Sequence, residues 1–150
     1  MNPIQDILRV GSVGIEPEEA SLKVLVIEDN RDAAETLGDL LSLFGHETEI
    51  ALSGPAGVET ARSFRPEVVL CDIGLPGMDG YAVARSLRGE PATRSARLIA
   101  LTGYDRKTDR QRTQEAGFDL HLVKPVEPLE LKRLLDDWAT GASESPEPAA

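Results

Sequence analysis

Val68-Val69-Leu70-Cys71-Asp72-Ile73-Gly74-Leu75-Pro76-Gly77-Met78-Asp79-Gly80 joins two signals in one stretch. It opens with an unbroken apolar run, and after Asp72 it turns rich in glycine, proline and aspartate. A short apolar run bounded by turn formers reads as a strand buried on both faces, and so as a strand of a parallel sheet. Asp72 closes that strand. A carboxylate at the C-terminal end of a parallel strand stands where open α/β sheets bind their ligands.

The same pattern recurs on either side. Glu28-Asp29 follow the run Leu22 to Ile27, Thr102 ends Leu98 to Leu101, and Lys124-Pro125 follow Leu120 to Val123. Strands are expected near 22–27, 47–51, 67–72, 97–102 and 119–123, with helix-period segments between them. In the first helix Ala33, Leu37, Leu40, Leu41 and Phe44 share a face, and Gly45 is the stop signal. Ser53 reads as the N-cap of a second helix near 54–64, closed by Pro66. A third spans about 81–87 before Gly89 and Pro91. The fourth, near 106–116, is almost wholly polar and can pack only by a thin stripe. The fifth, near 127–139, gathers Leu131, Leu134, Leu135 and Trp138. Regular β–α alternation predicts a parallel sheet with right-handed crossovers and helices on both faces.

"Glu-Asp-Asn" from Glu28, "Asp-Ile-Gly-Leu-Pro-Gly-Met-Asp-Gly" from Asp72, "Ala-Leu-Thr-Gly" around Thr102 and "Leu-Val-Lys-Pro" around Lys124 are each weak signals. In this order they resemble the receiver domain of two-component response regulators, over about Leu22 to Trp138. The resemblance implies a flavodoxin-like (βα)5 doubly wound fold with strand order 2-1-3-4-5. It also implies roles. Asp72 would be the phosphoacceptor. Glu28, Asp29, Asp72 and the main-chain carbonyl of Gly74 would hold Mg2+, a hard cation suited to oxygen ligands and phosphate. Thr102 and Lys124 would take the other phosphoryl oxygens, and the bond before Pro125 is a cis-peptide candidate. Thr102 and His121 would be switch residues, and Gly74 and Tyr104 would tune dephosphorylation.

Plainer readings stand beside these. Glu28 and Asp29 can cap the first helix, Thr102 can be an ordinary β-branched strand residue, and Lys124 a solvated strand-end lysine. Two positions depart from the family pattern. Glu28 stands where aspartate is commoner. His121 stands where many members carry Tyr or Phe, either as a smaller, titratable switch residue or as a half-exposed strand histidine. His46, after Gly45, is expected in a loop and solvated. Cys71 is expected to be an inert core thiol.

A phosphatase of the haloacid-dehalogenase type also uses a strand-end aspartate and magnesium. It needs a second acid two residues on, where this chain has Gly74. A pseudo-receiver acting as an unphosphorylated docking or dimerisation module would lack one or more of the set. The chain is thus expected to be a signalling switch, not an enzyme. Its implied partners are a sensor histidine kinase or phosphotransfer protein and an unidentified downstream protein. Output would pass through the fourth helix, fifth strand and fifth helix, or through a phosphorylation-dependent dimer. The chain reads as a stand-alone receiver, a phosphorelay shuttle or a receiver detached from a hybrid kinase.

The remaining composition sets bounds. At 150 residues and 41% hydrophobic the chain can build one core. Its net charge of −10 argues against direct nucleic-acid binding, which needs neutralised phosphates. No internal run reaches the ~18 apolar residues of a membrane helix. The start lacks a signal-peptide pattern, and Cys71 is alone, so a cytoplasmic location is expected. The domain is expected at 21–139, between an N-terminal arm, 1–20, and a disordered tail, 140–150. Half of the net charge lies in these ends. Ile4, Ile7, Leu8 and Val10 would allow the arm a short docked helix; a loose arm is the alternative.

Overall fold

The structure is a computed structural model and describes residues 21–103 and 107–141, without the side chains of 107–109. The strands are β1 (Lys23–Ile27), β2 (Glu47–Ala51), β3 (Val68–Asp72), β4 (Arg97–Thr102) and β5 (Leu120–Val123). The helices are α1 (Arg31–Leu43), α2 (Gly54–Phe64), α3 (Gly80–Arg88), α4 (Lys107–Ala116) and α5 (Pro128–Thr140). They alternate along the chain, and all four strand pairings are parallel, in the order β2-β1-β3-β4-β5.

The apolar strands follow from two covered faces. Leu25, Ile27, Val69, Cys71, Leu98 and Ala100 point to one side, against Val58 and Ala61 of α2 and Val83, Ala84 and Leu87 of α3. Val24, Val26, Val68, Leu70, Ile99 and Leu101 point to the other, against Leu41 of α1 and Leu131, Leu135 and Trp138 of α5. With period-2 alternation feeding both layers, neither set of positions can be polar. The edge strands relax this rule: in β2, Glu47 and Glu49 are exposed, and in β5 Val123 is.

Helix starts follow local chemistry. The side chains of Asn30, Ser53 and Asp79 accept the N–H groups of Ala33, Ala56 and Ala82. Glu127 caps α5 ahead of Pro128. The helix then runs to Thr140, one residue past its expected end. Gly57 is required by close approach, because a Cβ there would overlap the Ile27 side chain.

Two expectations need correction. Ala33 is exposed and Ala34 is buried in its place, with Gly38, while Leu37, Leu40, Leu41 and Phe44 face the core as expected. His46 is not solvated. It is 5% exposed, and its Nδ1 accepts the Leu22 N–H at 3.1 Å. The short turn after α1 brings the ring back over the start of β1.

The α4 helix packs by the thin stripe its composition implies, with Thr113 and Ala116 buried and Arg112 stacked 4.3 Å from the Tyr81 ring centroid. Its C-terminal end is tied down by Arg88, which donates to the Gly117 and Ala96 carbonyls and pairs with Asp119 at 2.9 Å. That clamp joins α3 to both loops beside β4, and no sequence motif announces it.

Candidate functional site

Four strand ends meet at one rim of the sheet. Glu28 and Asp29 leave β1, Asp72 ends β3, Thr102 ends β4 and Lys124 follows β5. Ladder-like backbone bonds continue past the strands and fix these ends. Glu28 N–H donates to Ala51, Ile73 N–H to Leu101 and Lys124 N–H to Thr102, at 2.8–3.2 Å. Residues up to 96 positions apart are thereby brought into side-chain contact.

The Lys124 ammonium sits at the centre. Its Nζ lies 2.8 Å from Glu28 Oε1 and 3.2 Å from Asp72 Oδ2. Burial alone would lower the Lys124 pKa, but the hydrogen bond to Glu28 and the charges of Asp72 and Glu28 outweigh it and raise it. The ammonium therefore stays charged. Glu28 is almost fully buried, and its second oxygen accepts the Asn30 N–H at 3.0 Å. Asp72 Oδ1 accepts the Gly74 N–H at 3.0 Å.

Glu28, Asp29 and Asp72 each offer a carboxylate oxygen, and these atoms all lie within 4.8 Å of one another. Asp29 is exposed and Asp72 half-buried, so the cluster opens to solvent on one side. Three converging carboxylates with one ammonium leave negative charge uncompensated. All-oxygen donors suit a hard divalent cation such as Mg2+. The residues present fit that ion.

The other expected site residues are placed as follows. Thr102 is 2% exposed at the end of β4. Gly74 is exposed, and a Cβ there would lie 3.6 Å from Asp72 Oδ1, so position 74 overlooks the carboxylate. The Lys124–Pro125 peptide is cis. His121 is half-buried in β5, paired in register with Ala100. Tyr104 lies outside the described residues. Cys71 is buried next to Asp72, and burial, with the charges of Asp72, Asp79 and Glu28, pushes its thiol well up, which keeps it protonated and inert.

Sequence reasoning missed three supports. Asn30 both caps α1 and holds Glu28. Gly80 lets the loop after Asp72 fold back on β3, since a Cβ there would lie 2.6 Å from the Asp72 carbonyl oxygen. Gly54 does the same against Met78, whose carbonyl oxygen would be 2.6 Å from a Cβ. Asn30 was legible as an Asx cap; the two glycines carry no local signal for contacts made across the fold.

Comparison with known proteins agrees with this geometry. A family model for the response regulator receiver domain matches residues 24–136. An uncharacterised 14.6 kDa protein of Leptolyngbya boryana is 32% identical over 119 residues, 79% of this chain and 91% of that one. The polar-differentiation response regulator DivK of Brucella anthropi is 31% identical over 103 residues, 69% of this chain and 84% of that one. The receiver domain of the sensor histidine kinase PA1611 of Pseudomonas aeruginosa superposes with a TM-score of 0.72 at 30% identity, covering 79% of this chain and 98% of that one. That receiver was crystallised with a magnesium ion coordinated in its active-site cleft.

Proposed function

The chain belongs to the response regulator receiver family, whose members are switches of two-component signalling rather than enzymes, and from that premise we propose that it takes a phosphoryl group onto Asp72. The donor is the phosphohistidine of a sensor kinase or of a phosphotransfer protein. An Asp72 carboxylate oxygen attacks phosphorus, the P–N bond of the donor breaks, and an acyl phosphate forms.

The observation that carries this reading is the Lys124 ammonium, 3.2 Å from Asp72 Oδ2 and already paired with Glu28. Charge accumulates on the equatorial phosphoryl oxygens during transfer, and a fixed ammonium beside the nucleophile stabilises it without rearrangement. Thr102, ending the neighbouring strand, supplies the hydroxyl for a second oxygen. Glu28, Asp29, Asp72 and the Gly74 carbonyl would hold Mg2+, which would supply positive charge to the remaining phosphoryl oxygen. Glu28 reaches this site already bridged by Lys124, so its longer side chain acts as an anchor for the lysine as well as an acid.

Output follows from Lys124. Drawing its ammonium from Glu28 to a phosphoryl oxygen pulls on the end of β5, and thereby on the face formed by α4, β5 and α5. His121 lies on that strand, and Val123 and Leu129 are large apolar side chains exposed there. A downstream protein, or a second phosphorylated copy, is the expected reader. No helix among the described residues is long and apolar enough to cross a membrane. A cytoplasmic location goes with this reading, as does the absence of direct nucleic-acid binding in so acidic a chain.

The test is incubation with acetyl phosphate and Mg2+ followed by intact mass. One phosphoryl group should be gained, only with the metal, and Asp72→Ala should gain none. Full labelling of Asp72→Ala would overturn the assignment. No labelling of the unaltered chain would favour a pseudo-receiver that works by docking alone.

A further inference from the structure

A cleft of about 430 Å3 opens at the end of the sheet opposite Asp72. It is lined by Leu22 just before β1, Arg65 and Pro66 after α2, Val68 opening β3, Arg97 opening β4, and Trp138 of α5. Its chemistry is mixed: an apolar floor under two arginines and one acid, Glu67, whose carboxylate already accepts the Lys23 N–H at 2.9 Å. Arg97 stacks its guanidinium 4.7 Å from the Trp138 ring centroid, and Arg65 is exposed. The indole N–H of Trp138 is buried and has no hydrogen-bond partner among the described residues. Buried donors are seldom left unpaired, so an uncovered acceptor belongs nearby.

Leu22 is a wall of this cleft and is also where residues 1–20 join the domain. That segment is therefore tethered at the cleft mouth. Its composition is complementary. Glu16, Glu18 and Glu19 stand nearest the joint, and Ile4, Ile7, Leu8, Val10, Val13 and Ile15 precede them. At up to ~3.6 Å per residue, the three glutamates reach no further than roughly 20 Å from Leu22, the scale of the cleft itself. A tethered segment also binds at a high effective concentration, so even a shallow site is filled. Residues 142–150 leave α5 near the same place, but they offer two glutamates and no large apolar side chain.

We propose that residues 1–20 occupy this cleft, with Glu16, Glu18 and Glu19 against Arg65 and Arg97 and apolar side chains against Leu22, Pro66 and Trp138. The cleft and Asp72 lie at opposite ends of the strands, so this contact does not block the acceptor.

Trp138 is the one tryptophan of the chain and Cys71 is buried, which gives the full chain a built-in donor and leaves an introduced thiol to carry the label. A dansyl group on Leu8→Cys should receive energy from Trp138. The transfer should fall, toward the lower level of a loose but still tethered arm, in the triple variant Glu16→Lys, Glu18→Lys, Glu19→Lys. Adding Arg65→Glu should restore it. In the unlabelled triple variant, acrylamide should quench Trp138 more strongly. Transfer that ignores the charge reversal would overturn the proposal. So would transfer lost on dilution with unlabelled chain, which means a second copy, or stronger transfer to a label on Ala150→Cys, which means the C-terminal segment.

Discussion

Replacing Lys124 with methionine removes the ammonium and keeps most of the stem, which isolates the charge at the centre of the site. The wild-type ammonium bridges Glu28 at 2.8 Å and Asp72 at 3.2 Å. In the variant Glu28 keeps only the Asn30 N–H, in a position where its side chain is 5% exposed. Stripping one partner from a fully buried pair costs about 3–5 kcal/mol. An exposed pair is worth under about 1 kcal/mol, and the Lys124 side chain is 36% open to solvent. The expected loss is thus ~1–3 kcal/mol in EDTA at low salt. For a domain of this size each kcal/mol lowers Tm by roughly 3–6 °C. The same three carboxylates, freed of their counter-charge, should bind Mg2+ about tenfold more tightly, a gain of about 1.4 kcal/mol. Thermal melts in EDTA and in excess Mg2+ read both effects. The variant should melt lower than wild type in EDTA and recover most of the difference with the metal. A variant that melts with wild type in EDTA and binds Mg2+ no better would refute the claim that Lys124 neutralises this cluster. The variant should also accept phosphate more slowly, having lost the ammonium that stabilises the transfer, and should not acquire phosphate-dependent partner binding, because the link from the phosphoryl group to β5 is gone.

Asp29→Ala removes one of three clustered carboxylates and should weaken Mg2+ at least tenfold; amide shifts during a metal titration report it, and unchanged affinity would place the ion elsewhere. Gly57→Ala should destabilise by about 1–3 kcal/mol despite alanine's better helix propensity, because the new Cβ overlaps Ile27; adding Ile27→Val should return part of the loss in denaturant melts. His46 is held neutral by burial, helped by Lys132 and opposed by Asp136 and Glu67, so its pKa lies below the ordinary value of about 6.5. The unfolded chain then binds the extra proton, and the stability from the neutral ring is full above about pH 6.5 and lost as pH falls through the lower folded value. His46→Gln should flatten that segment of the Tm–pH curve, and an unchanged slope would assign it to other groups. Gly74 offers no side chain to position a hydrolytic water, and Tyr104 is expected to shield the phosphoryl group; Tyr104→Glu should therefore speed loss of phosphate after acetyl phosphate is removed, and equal or slower decay would show that Tyr104 shields nothing.

The sheet and its helices were legible because their causes are local. A strand covered on both faces must be apolar throughout, so Val24 to Ile27, Val68 to Cys71 and Leu98 to Leu101 declare themselves, and Ser53, Pro66, Gly89 and Pro91 punctuate the helices between them. The residues at the strand ends were legible for the same reason: each polar group interrupts an apolar run at a place the topology makes common to all. Strand order was different. It rested on resemblance to a family, since β–α alternation alone fits several doubly wound orders.

Only the tertiary structure decided how those residues meet. That Glu28 is buried under Lys124, that Arg88 reaches Gly117 and Asp119, and that His46 accepts the Leu22 N–H are contacts across 24 to 96 positions of chain. No local pattern encodes them, because each partner is an ordinary residue in its own neighbourhood. His46 shows the limit well: beside a glycine it reads as a solvated loop residue, and the turn that buries it against β1 exists only once α1 is packed on the sheet. Periodicity and turn chemistry determine which elements form and which end of the sheet carries the acids. Packing decides which charges are neutralised there, since desolvation and pairing depend on neighbours that only the closed fold supplies.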